Sequence, residues 1–466
     1  MGDNVILAFL LLGLVHLLLM SLIFFFLIRK KSYGLSSPEF LYVLFSFLHI
    51  FSLLVFSLDK SLFQNYLRVD FDSNYEKIVL SIILKILIDL IYLTISICHK
   101  KPFLVGLYVL PYKVTGIDFN PRMGKILKLF GYLIAFLGLL LLFIGIERSG
   151  GLVFLWLNIA QRAILFEESG IFLLIAETLL QFSAFILYLY YIYNKKFYFS
   201  VFLILLFSIS LALIGGRSPV IFLLYVIILT HFTFFSKFKF KLSFAVIFLC
   251  FLVLALGVGK LRESNALTLL KKSPQEFIVE TLVELPRHVA PYFSKIRRDL
   301  VIINYFDEHS YWYGQQYYTL LTSVIPRVFY EDKPVIDGGR LVSAMRSSNN
   351  VSPVMKIDEV PKSGWPEGNM AGFMNFGYFG LILFTAVVSL LIKNLYLISK
   401  RYSYSLFFIY LFTVFLGPVG LDPYSIFRFI GYIGPIILML LFFRFFIFLR
   451  DFMHSCRAKS YKWTGW

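Results

Sequence analysis

Residues 5–28 read VILAFLLLGLVHLLLMSLIFFFLI, an apolar run without an acidic or basic residue other than one histidine. About 20 consecutive apolar residues suffice for an α-helix to cross the hydrocarbon core of a bilayer. The run has no basic segment before it and no small-residue cleavage site after it, so we expect a retained transmembrane helix rather than a removed signal peptide. The whole chain shares this character, with 59% hydrophobic and 15% charged residues and a mean hydropathy of +0.80. These values predict an all-α polytopic membrane protein and exclude a soluble globular domain.

Apolar runs of membrane-spanning length recur along the chain and predict about eleven transmembrane helices. They lie near residues 5–28, 40–58, 78–98, 126–146, 169–193, 197–214, 218–235, 241–259, 371–395, 403–417 and 425–449. The chain then divides into helices one to eight (1–259), a large hydrophilic loop with amphipathic helices (260–370), helices nine to eleven (371–449) and a tail (450–466). Loops held on a rigid scaffold carry function disproportionately often, so we expect the function of this chain to lie in the large loop.

The basic residues predict the orientation of these helices. Lysines and arginines cluster in alternate short loops and in the C-terminal tail, as the positive-inside rule requires of cytoplasmic segments. The basic loops contain residues 29–31, 100–125, 195–196, 237–241 and 400–401, whereas the loops 59–77 and 147–168 are mixed or acidic. We therefore expect the N-terminus outside, the C-terminus in the cytoplasm and the large loop on the extracytoplasmic face. The same basic loops explain the net charge of +17 without a nucleic acid as partner.

The sequence shows no pattern typical of a metal or cofactor site. Its three cysteines, Cys98, Cys250 and Cys456, lie outside the large loop, so we expect no disulfide framework, zinc site or haem motif there. Carboxylates of the outer loops occur as adjacent pairs, such as Glu331-Asp332, rather than with the Asp-x-Asp spacing that chelates a divalent cation. The sequence therefore predicts chemistry that uses neither a metal nor a cofactor.

Ionisable residues inside the predicted spans are functional candidates by default. Lys85 and Asp89 are four residues apart on one helix face, which favours a structural ion pair. Glu177 is alone in its apolar run and is a packing or proton-path residue by this interpretation. With so few residues of this kind, we do not expect a proton relay.

Polar motifs recur on the predicted outer face. Gly215-Gly216-Arg217 forms a tight turn that leaves Arg217 at the N-terminus of a helix, which is a favourable place for an anion. In the large loop, Gly314-Gln315-Gln316-Tyr317-Tyr318 precedes Ile325-Pro326-Arg327 and Lys333-Pro334. Aromatic rings stack on sugar C–H surfaces and arginine forks onto phosphate oxygens, so this composition favours a glycan phosphate ligand. A solvated basic loop is the simpler alternative.

The order and spacing of these motifs resemble those of the bacterial oligosaccharide repeat-unit polymerases, the Wzy-type O-antigen and enterobacterial common antigen polymerases. The resemblance rests on Gly215-Gly216-Arg217 opening a helix, the run at 314–334, the small and aromatic segment 372–380 re-entering the membrane, and Leu421-Asp422 followed by Arg428. It covers the C-terminal half of the chain, whereas the N-terminal part matches in hydropathy alone.

This resemblance implies a function. In that family, a growing glycan on undecaprenyl pyrophosphate is transferred to the non-reducing end of a newly exported lipid-linked unit, at the periplasmic face of the bacterial inner membrane. The resemblance thus implies a metal-independent glycosyltransferase with a GT-C-like membrane fold. It also implies undecaprenyl-pyrophosphate-linked glycans and membrane lipid as partners, together with a chain-length regulator and a flippase.

The resemblance further implies roles for individual residues. Arg217, Arg327 and Arg428 are candidates for stabilising the charge of the leaving pyrophosphate, and Glu367 or Asp422 for the general base. Asp422 would alternatively orient Arg428. The substrate-binding candidates are Arg287, Lys333, Arg340, Gln315, Tyr317 and Tyr318.

Three other functions stay open at this point. An O-antigen ligase is chemically close to a polymerase, because it uses the same donor with a different acceptor. A lipid-linked oligosaccharide flippase or other transporter would usually show internal repeats and helices broken near the midplane, and the sequence shows no repeat. A structural or signalling membrane protein would leave the clustering of basic and aromatic residues on one face unexplained.

Overall fold

The computed structural model describes the membrane helices and much of the large loop. The described residues are 2–29, 36–58, 74–101, 121–157, 170–213, 217–234, 294–323, 325, 329–330, 332–361, 368, 370–402 and 410–411, with isolated residues at 272–273, 275–276, 279, 423, 426, 434 and 441. Within them the chain forms twelve named α-helices and no strand, and an isolated bridge pairs Pro334 with Lys356.

The helices follow the apolar runs of the sequence. Their bounds are α1 Gly2–Arg29, α2 Pro38–Leu58, α3 Tyr75–Cys98, α4 Pro121–Arg148, α5 Gly151–Leu157, α6 Gly170–Tyr193, α7 Phe197–Ala212, α8 Arg217–Phe234, α9 Ile296–Glu308, α10 Tyr318–Ser323, α11 Gly338–Ala344 and α12 Met370–Tyr402. Single turns of 3₁₀ helix occur at Gln315–Tyr317 and Ile357–Glu359.

Six of these helices are long and apolar enough to cross a membrane, namely α1, α2, α3, α4, α6 and α12. Helices α7 and α8 are also apolar but contain shorter apolar segments. Together they coincide with eight of the eleven predicted spans, which confirms a polytopic helical membrane protein. The predicted spans at 241–259, 403–417 and 425–449 lie almost entirely outside the described residues.

Helices α4 and α6 pack against each other through a row of glycines. Three glycines of α4, seven residues apart, each face a leucine of α6: Gly131 faces Leu187, Gly138 faces Leu180 and Gly145 faces Leu173. A Cβ at these glycines would lie 2.6–2.9 Å from a leucine side-chain carbon. The glycines therefore let the two antiparallel backbones approach closely, as small residues do between membrane helices.

Helix α9 of the large loop lies along the first half of α3. Asn304 donates a hydrogen bond to Asn74 at 3.0 Å, and Lys77 forms an ion pair with Asp307 at 2.6 Å. Further along, Ile302 of α9 shares one apolar cluster with residues of α3. The C-terminal end of α9 therefore lies at the start of α3, and its N-terminal end points towards the middle of that helix.

Helix α12 reverses direction near its start. Phe376 and Gly377 have non-helical backbone angles, and Gly377 has φ +64° and ψ −150°. In a continuous α-helix, residues eight apart are separated by about 12 Å. Here a Cβ on either Gly372 or Gly380 would collide with the backbone carbonyl of the other glycine. The short segment 370–375 thus folds back on the long part of α12, within the 372–380 stretch for which the sequence predicted re-entry into the membrane.

The reversal holds the central part of the large loop. The backbone N–H groups of Trp312 and Tyr313 donate to the carbonyls of Met374 and Asn375 at 3.0 and 2.9 Å. The buried Asn375 side chain accepts from the Gly314 N–H at 3.1 Å and donates to Gln316 at 3.1 Å. Segment 312–316 is therefore fixed on α12, and the loop is attached to the bundle at both α3 and α12.

Candidate functional site

Asp89 of α3 is the centre of a buried polar network. Its carboxylate forms an ion pair with Lys85, which confirms the pairing predicted from their spacing. It also accepts hydrogen bonds from His16 Nε2 at 2.8 Å, from the Tyr42 hydroxyl at 2.7 Å and from the Ser46 hydroxyl at 3.1 Å. These groups come from α1, α2 and α3 and are buried. A buried carboxylate is tolerated when it is paired and its remaining lone pairs accept hydrogen bonds.

Two cations of the large loop approach this network. Lys295 immediately precedes α9, and Arg298 lies in its first turn. The Arg298 guanidinium is buried and donates to Asp299 at 2.8 Å, while Lys295 lies near enough to Lys85 and Asp89 for their charges to act on it. We call Lys85, Lys295 and Arg298 the basic cluster. Because Lys85 is ten residues into α3, the cluster lies roughly 15 Å along that helix from its first residue.

Gly368 lies against the basic cluster from the other end of the loop. A Cβ at Gly368 would be 2.9 Å from Arg298 Nη1 and 4.0 Å from Lys295 Nζ, and φ at Gly368 is +56°. A residue with a side chain would therefore meet both steric collision and backbone strain there. Gly368, near the C-terminal end of the large loop, thus lies close to the charged groups at the start of α9.

Burial sets the protonation of Lys295. The half-buried amine lies in a poorly solvated position, and burial lowers its pKa to about 7. The positive charges of Arg298 and Lys85 act in the same direction, whereas Asp299 and Asp89 oppose the shift. Near neutral pH the amine is therefore divided between its charged and neutral forms.

A cleft lies on the part of the loop that projects away from α9. Its volume is about 490 Å³, and it is lined by Gln315, Tyr318, Tyr330, Asp332, Pro334, Val354 and Lys356. The Lys356 ammonium binds Asp332 at 2.7 Å, and this hydrogen bond raises the pKa of Lys356. We call this the loop cleft. Its two tyrosines, its amide and its ion pair combine apolar rings with polar groups, a combination suited to a ligand with both C–H and hydroxyl surfaces.

The structure places the sequence-predicted substrate residues at three locations. Gln315 and Tyr318 line the loop cleft. Tyr317 packs edge-on against Phe384 of α12, with ring centroids 6.2 Å apart. Lys333 donates to the carbonyl of Ile325 at 2.9 Å. Of the six predicted substrate residues, two thus share one site, and Tyr317 and Lys333 are held by neighbouring structure.

Arg340, another predicted substrate residue, lies in α11. Its Nε is 4.0 Å from Asp337, and its buried Nη1 has no hydrogen-bond partner among the described residues. Arg217 is the first residue of α8, as predicted, and its side chain is not described. The remaining candidates, Arg287, Arg327, Glu367, Asp422 and Arg428, lie outside the described residues.

Sequence reasoning missed most of the buried charged groups. Lys295 and Arg298 were visible as loop cations, but nothing in the sequence placed them beside Lys85. At another point in the bundle, Glu39 of α2 forms a buried ion pair with Lys393 of α12 and accepts from Ser96 of α3 at 2.9 Å. A usable signal existed for Lys393, which interrupts the predicted span 371–395, whereas Glu39 lies just before the predicted span 40–58.

The prediction that Glu177 has no local partner was wrong. The side-chain amide of Gln181, one turn further along α6, donates to Glu177 at 3.3 Å. Residues four apart face the same side of a helix, so this partner could have been read from the sequence.

The chain matches no known protein family, no curated protein and no solved structure at a significant level.

Proposed function

We propose that this chain is a membrane glycosyltransferase that polymerises lipid-linked oligosaccharide repeats. The growing glycan would be transferred from undecaprenyl pyrophosphate to the non-reducing end of a new lipid-linked unit, at the extracytoplasmic face of a bacterial inner membrane. The observation that carries the proposal is the basic cluster, in which Lys295 and Arg298 of the loop lie beside one another and the charge of Lys85 on α3 acts on Lys295. Such a group of cations suits the anionic group of a lipid pyrophosphate.

The basic cluster suits the departure of a pyrophosphate. As the bond between the sugar anomeric carbon and the pyrophosphate oxygen breaks, negative charge develops on the leaving group. Fixed cations in a poorly solvated site stabilise such charge more strongly than water does. Lys85 and Arg298 are both held by buried carboxylates, so their positions are set before substrate arrives. Arg217, Arg327 and Arg428 stay candidates for the same role in this proposal.

The loop cleft suits the glycan. Its volume of about 490 Å³ is in the range of small-molecule sites. The Tyr318 ring is 52% exposed and free to stack on a sugar face, while Gln315 and Asp332 offer hydrogen-bonding groups to hydroxyls. Because segment 312–316 is fixed on α12, the cleft keeps a constant position relative to the membrane helices.

The experiment uses purified full-length protein in nanodiscs with synthetic undecaprenyl-pyrophosphate-linked repeat units. Chain extension is followed by gel electrophoresis and mass spectrometry. We expect Arg298→Gln to lower kcat by about 10²–10³, the usual loss when one group that stabilises transition-state charge is removed. Tyr318→Ala should chiefly raise KM, because the tyrosine contacts the glycan away from the reacting bond.

Two control variants test whether the effects are specific to the basic cluster and the loop cleft. Lys272 is an exposed cation and Tyr198 is 88% exposed on α7, and neither lies in the basic cluster or the loop cleft, so Lys272→Ala and Tyr198→Ala should extend chains normally. Unchanged extension by Arg298→Gln would contradict the role of the basic cluster. Transfer to a lipid A core acceptor, in place of a lipid-linked unit, would identify a ligase instead.

A second candidate function is translocation of a lipid-linked oligosaccharide. It is favoured by the buried charges inside the spans, Glu39 with Lys393 and Asp89 with His16, because such groups mark transport pathways in many membrane proteins. Proteoliposomes that contain a labelled lipid-linked oligosaccharide test it. Translocation would expose the inner pool of glycan to an added glycosidase, whereas a polymerase would lengthen the glycan without changing its protection.

A further inference from the structure

The proposed transfer needs a group that removes the proton of the acceptor hydroxyl. The two carboxylates next to the basic cluster, Asp89 and Asp299, are poorly suited to this role. Asp89 already accepts from four groups, including the Lys85 ammonium. Asp299 is held by the Arg298 guanidinium at 2.8 Å. Both carboxylates thus already accept hydrogen bonds from neighbouring cations.

Lys295 has the opposite environment. Its amine lies beside the Arg298 guanidinium, because a Cβ at Gly368 would be 4.0 Å from Lys295 Nζ and 2.9 Å from Arg298 Nη1. The charges of Asp299 on α9 and of Lys85 and Asp89 on α3 also act on the amine. Each carboxylate of this group is bound to a different cation, and within the described chain no ion pair joins Lys295 to either of them. The amine also lies at the N-terminal end of α9, where the helix dipole disfavours a positive charge.

We propose that Lys295 is the general base of the transfer reaction, with its neutral amine accepting the proton of the acceptor hydroxyl. This inference rests on the proposed function. A bond forms between the acceptor oxygen and the anomeric carbon of the donor glycan, and the bond from that carbon to the pyrophosphate oxygen breaks. The proton moves from the acceptor hydroxyl to Lys295 Nζ, and the lipid pyrophosphate leaves with the bonding electron pair.

The basic cluster couples the protonation of Lys295 to the growth of negative charge on the leaving pyrophosphate. Before reaction, the cations of Lys85 and Arg298 keep the proton affinity of Lys295 low, so the base is ready at neutral pH. A pyrophosphate bound beside these cations partly cancels their charge, and negative charge grows on it as the sugar departs. The proton affinity of Lys295 therefore rises while the proton is being transferred, which is the order that general-base catalysis requires.

The first test measures the titration of Lys295 without any substrate. Full-length protein in nanodiscs is labelled with trace acetic anhydride between pH 5.5 and 10, and the modification of each lysine is measured by mass spectrometry. We expect Lys295 to titrate near pH 7 and the exposed Lys272 near the usual value for lysine, about 10.4. In Lys85→Gln, the titration of Lys295 should move to higher pH, because a neighbouring positive charge has been removed.

The second test measures catalysis. Lys295→Arg keeps a cation but removes the base, so kcat should fall by about 10²–10⁴, the usual contribution of a positioned base, with KM little changed. The rise of kcat/KM with pH through about 7 in the wild type should disappear in this variant. Equal elution of both proteins from a sizing column shows that the variant is folded.

The outcomes separate the two proposals. Chain extension by a wild-type protein whose Lys295 titrates like Lys272 would overturn the base assignment alone, as would a normal kcat in Lys295→Arg. Absence of extension by the wild type at every pH would overturn the proposed function, and with it the assignment of the base. A titration near neutral pH together with a loss confined to kcat supports both.

Discussion

Asp89 shows how a single buried residue joins several helices. Its carboxylate is bound by groups of α1, α2 and α3. Because Asp89 lies in the middle of an apolar helix, its charge depends on these partners for stabilisation. When one partner of a buried ion pair is removed, the other charge is left in an apolar setting, whereas removal of both partners is often neutral. The network therefore stabilises the packing only as a complete set.

We accordingly expect Asp89→Leu to destabilise the protein more than the double variant Lys85→Met/Asp89→Leu. The single substitution leaves the Lys85 ammonium unpaired and should cost about 3–5 kcal/mol of unfolding free energy. Thermal unfolding in detergent, followed by the fraction that elutes as folded protein, measures the difference.

The matched control for this comparison is the exposed ion pair of Lys356 with Asp332. Both side chains are largely in solvent, so Asp332→Asn should leave the unfolding temperature nearly unchanged. A double variant of Lys85 and Asp89 that unfolds at a lower temperature than the single variant would contradict the interpretation.

At the residue scale, the sequence predicts pairs within one helix and little beyond. Lys85 with Asp89 follows from a spacing of four, and so would Glu177 with Gln181. The contacts of Asp89 with His16, Tyr42 and Ser46 depend on which helices are neighbours and how each is rotated. Hydropathy contains little information about either, because large apolar residues occur on both the buried and the exposed sides of these helices.

At the scale of the elements, the reversal inside α12 is the feature on which the loop depends. Gly377 adopts backbone angles that are almost restricted to glycine, and the Tyr311 ring lies against its open face, with the nearest ring atom 2.9 Å from a hypothetical Cβ. That ring is held between Phe306 and Phe373, each with its centroid 5.6 Å away. It therefore cannot easily move aside.

We expect Gly377→Ala to lower the thermal unfolding midpoint by several degrees more than Gly151→Ala. Gly151 also has a positive φ, +85°, but a Cβ there would meet no atom within 4 Å. The Gly151 variant thus reports the backbone strain alone, about 1 kcal/mol or more, and the excess in Gly377→Ala reports the collision with Tyr311. Equal unfolding midpoints for the two variants would show that the Tyr311 ring moves aside.

The elements themselves were largely predictable, because a run of apolar residues long enough to span a bilayer has few alternatives to a helix. The loop was less so. Of the substrate residues predicted in this run, Gln315 and Tyr318 line the loop cleft and Tyr317 packs on Phe384, and their contact with substrate stays a prediction. Gln316, between them, binds Asn375. Which side chains of this 3₁₀ turn are exposed and which are held depends on the position of α12. The sequence does not specify that position.

At the scale of the whole molecule, the packing of α9 on α3 and of segment 312–316 on α12 places the described loop at the ends where α3 and α12 begin. The alternation of basic loops predicts that these ends face away from the cytoplasm. We expect a reporter inserted after Asn349 to be extracytoplasmic and one inserted after Lys400 to be cytoplasmic. Paired alkaline phosphatase and green fluorescent protein fusions measure this, and a cytoplasmic Asn349 fusion would remove the proposed site from the outer face.

The ion pair between Glu39 and Lys393 has a consequence for how the protein is made. The two residues are 354 positions apart, so α2 leaves the ribosome long before its partner exists. Among the described residues that precede α12, Ser96 is the hydrogen-bond partner of the Glu39 carboxylate. A chain that stops before α12 therefore lacks the lysine that pairs with Glu39 in the folded bundle. The packing of the bundle is completed only after α12, at residues 370–402 of 466, has been synthesised.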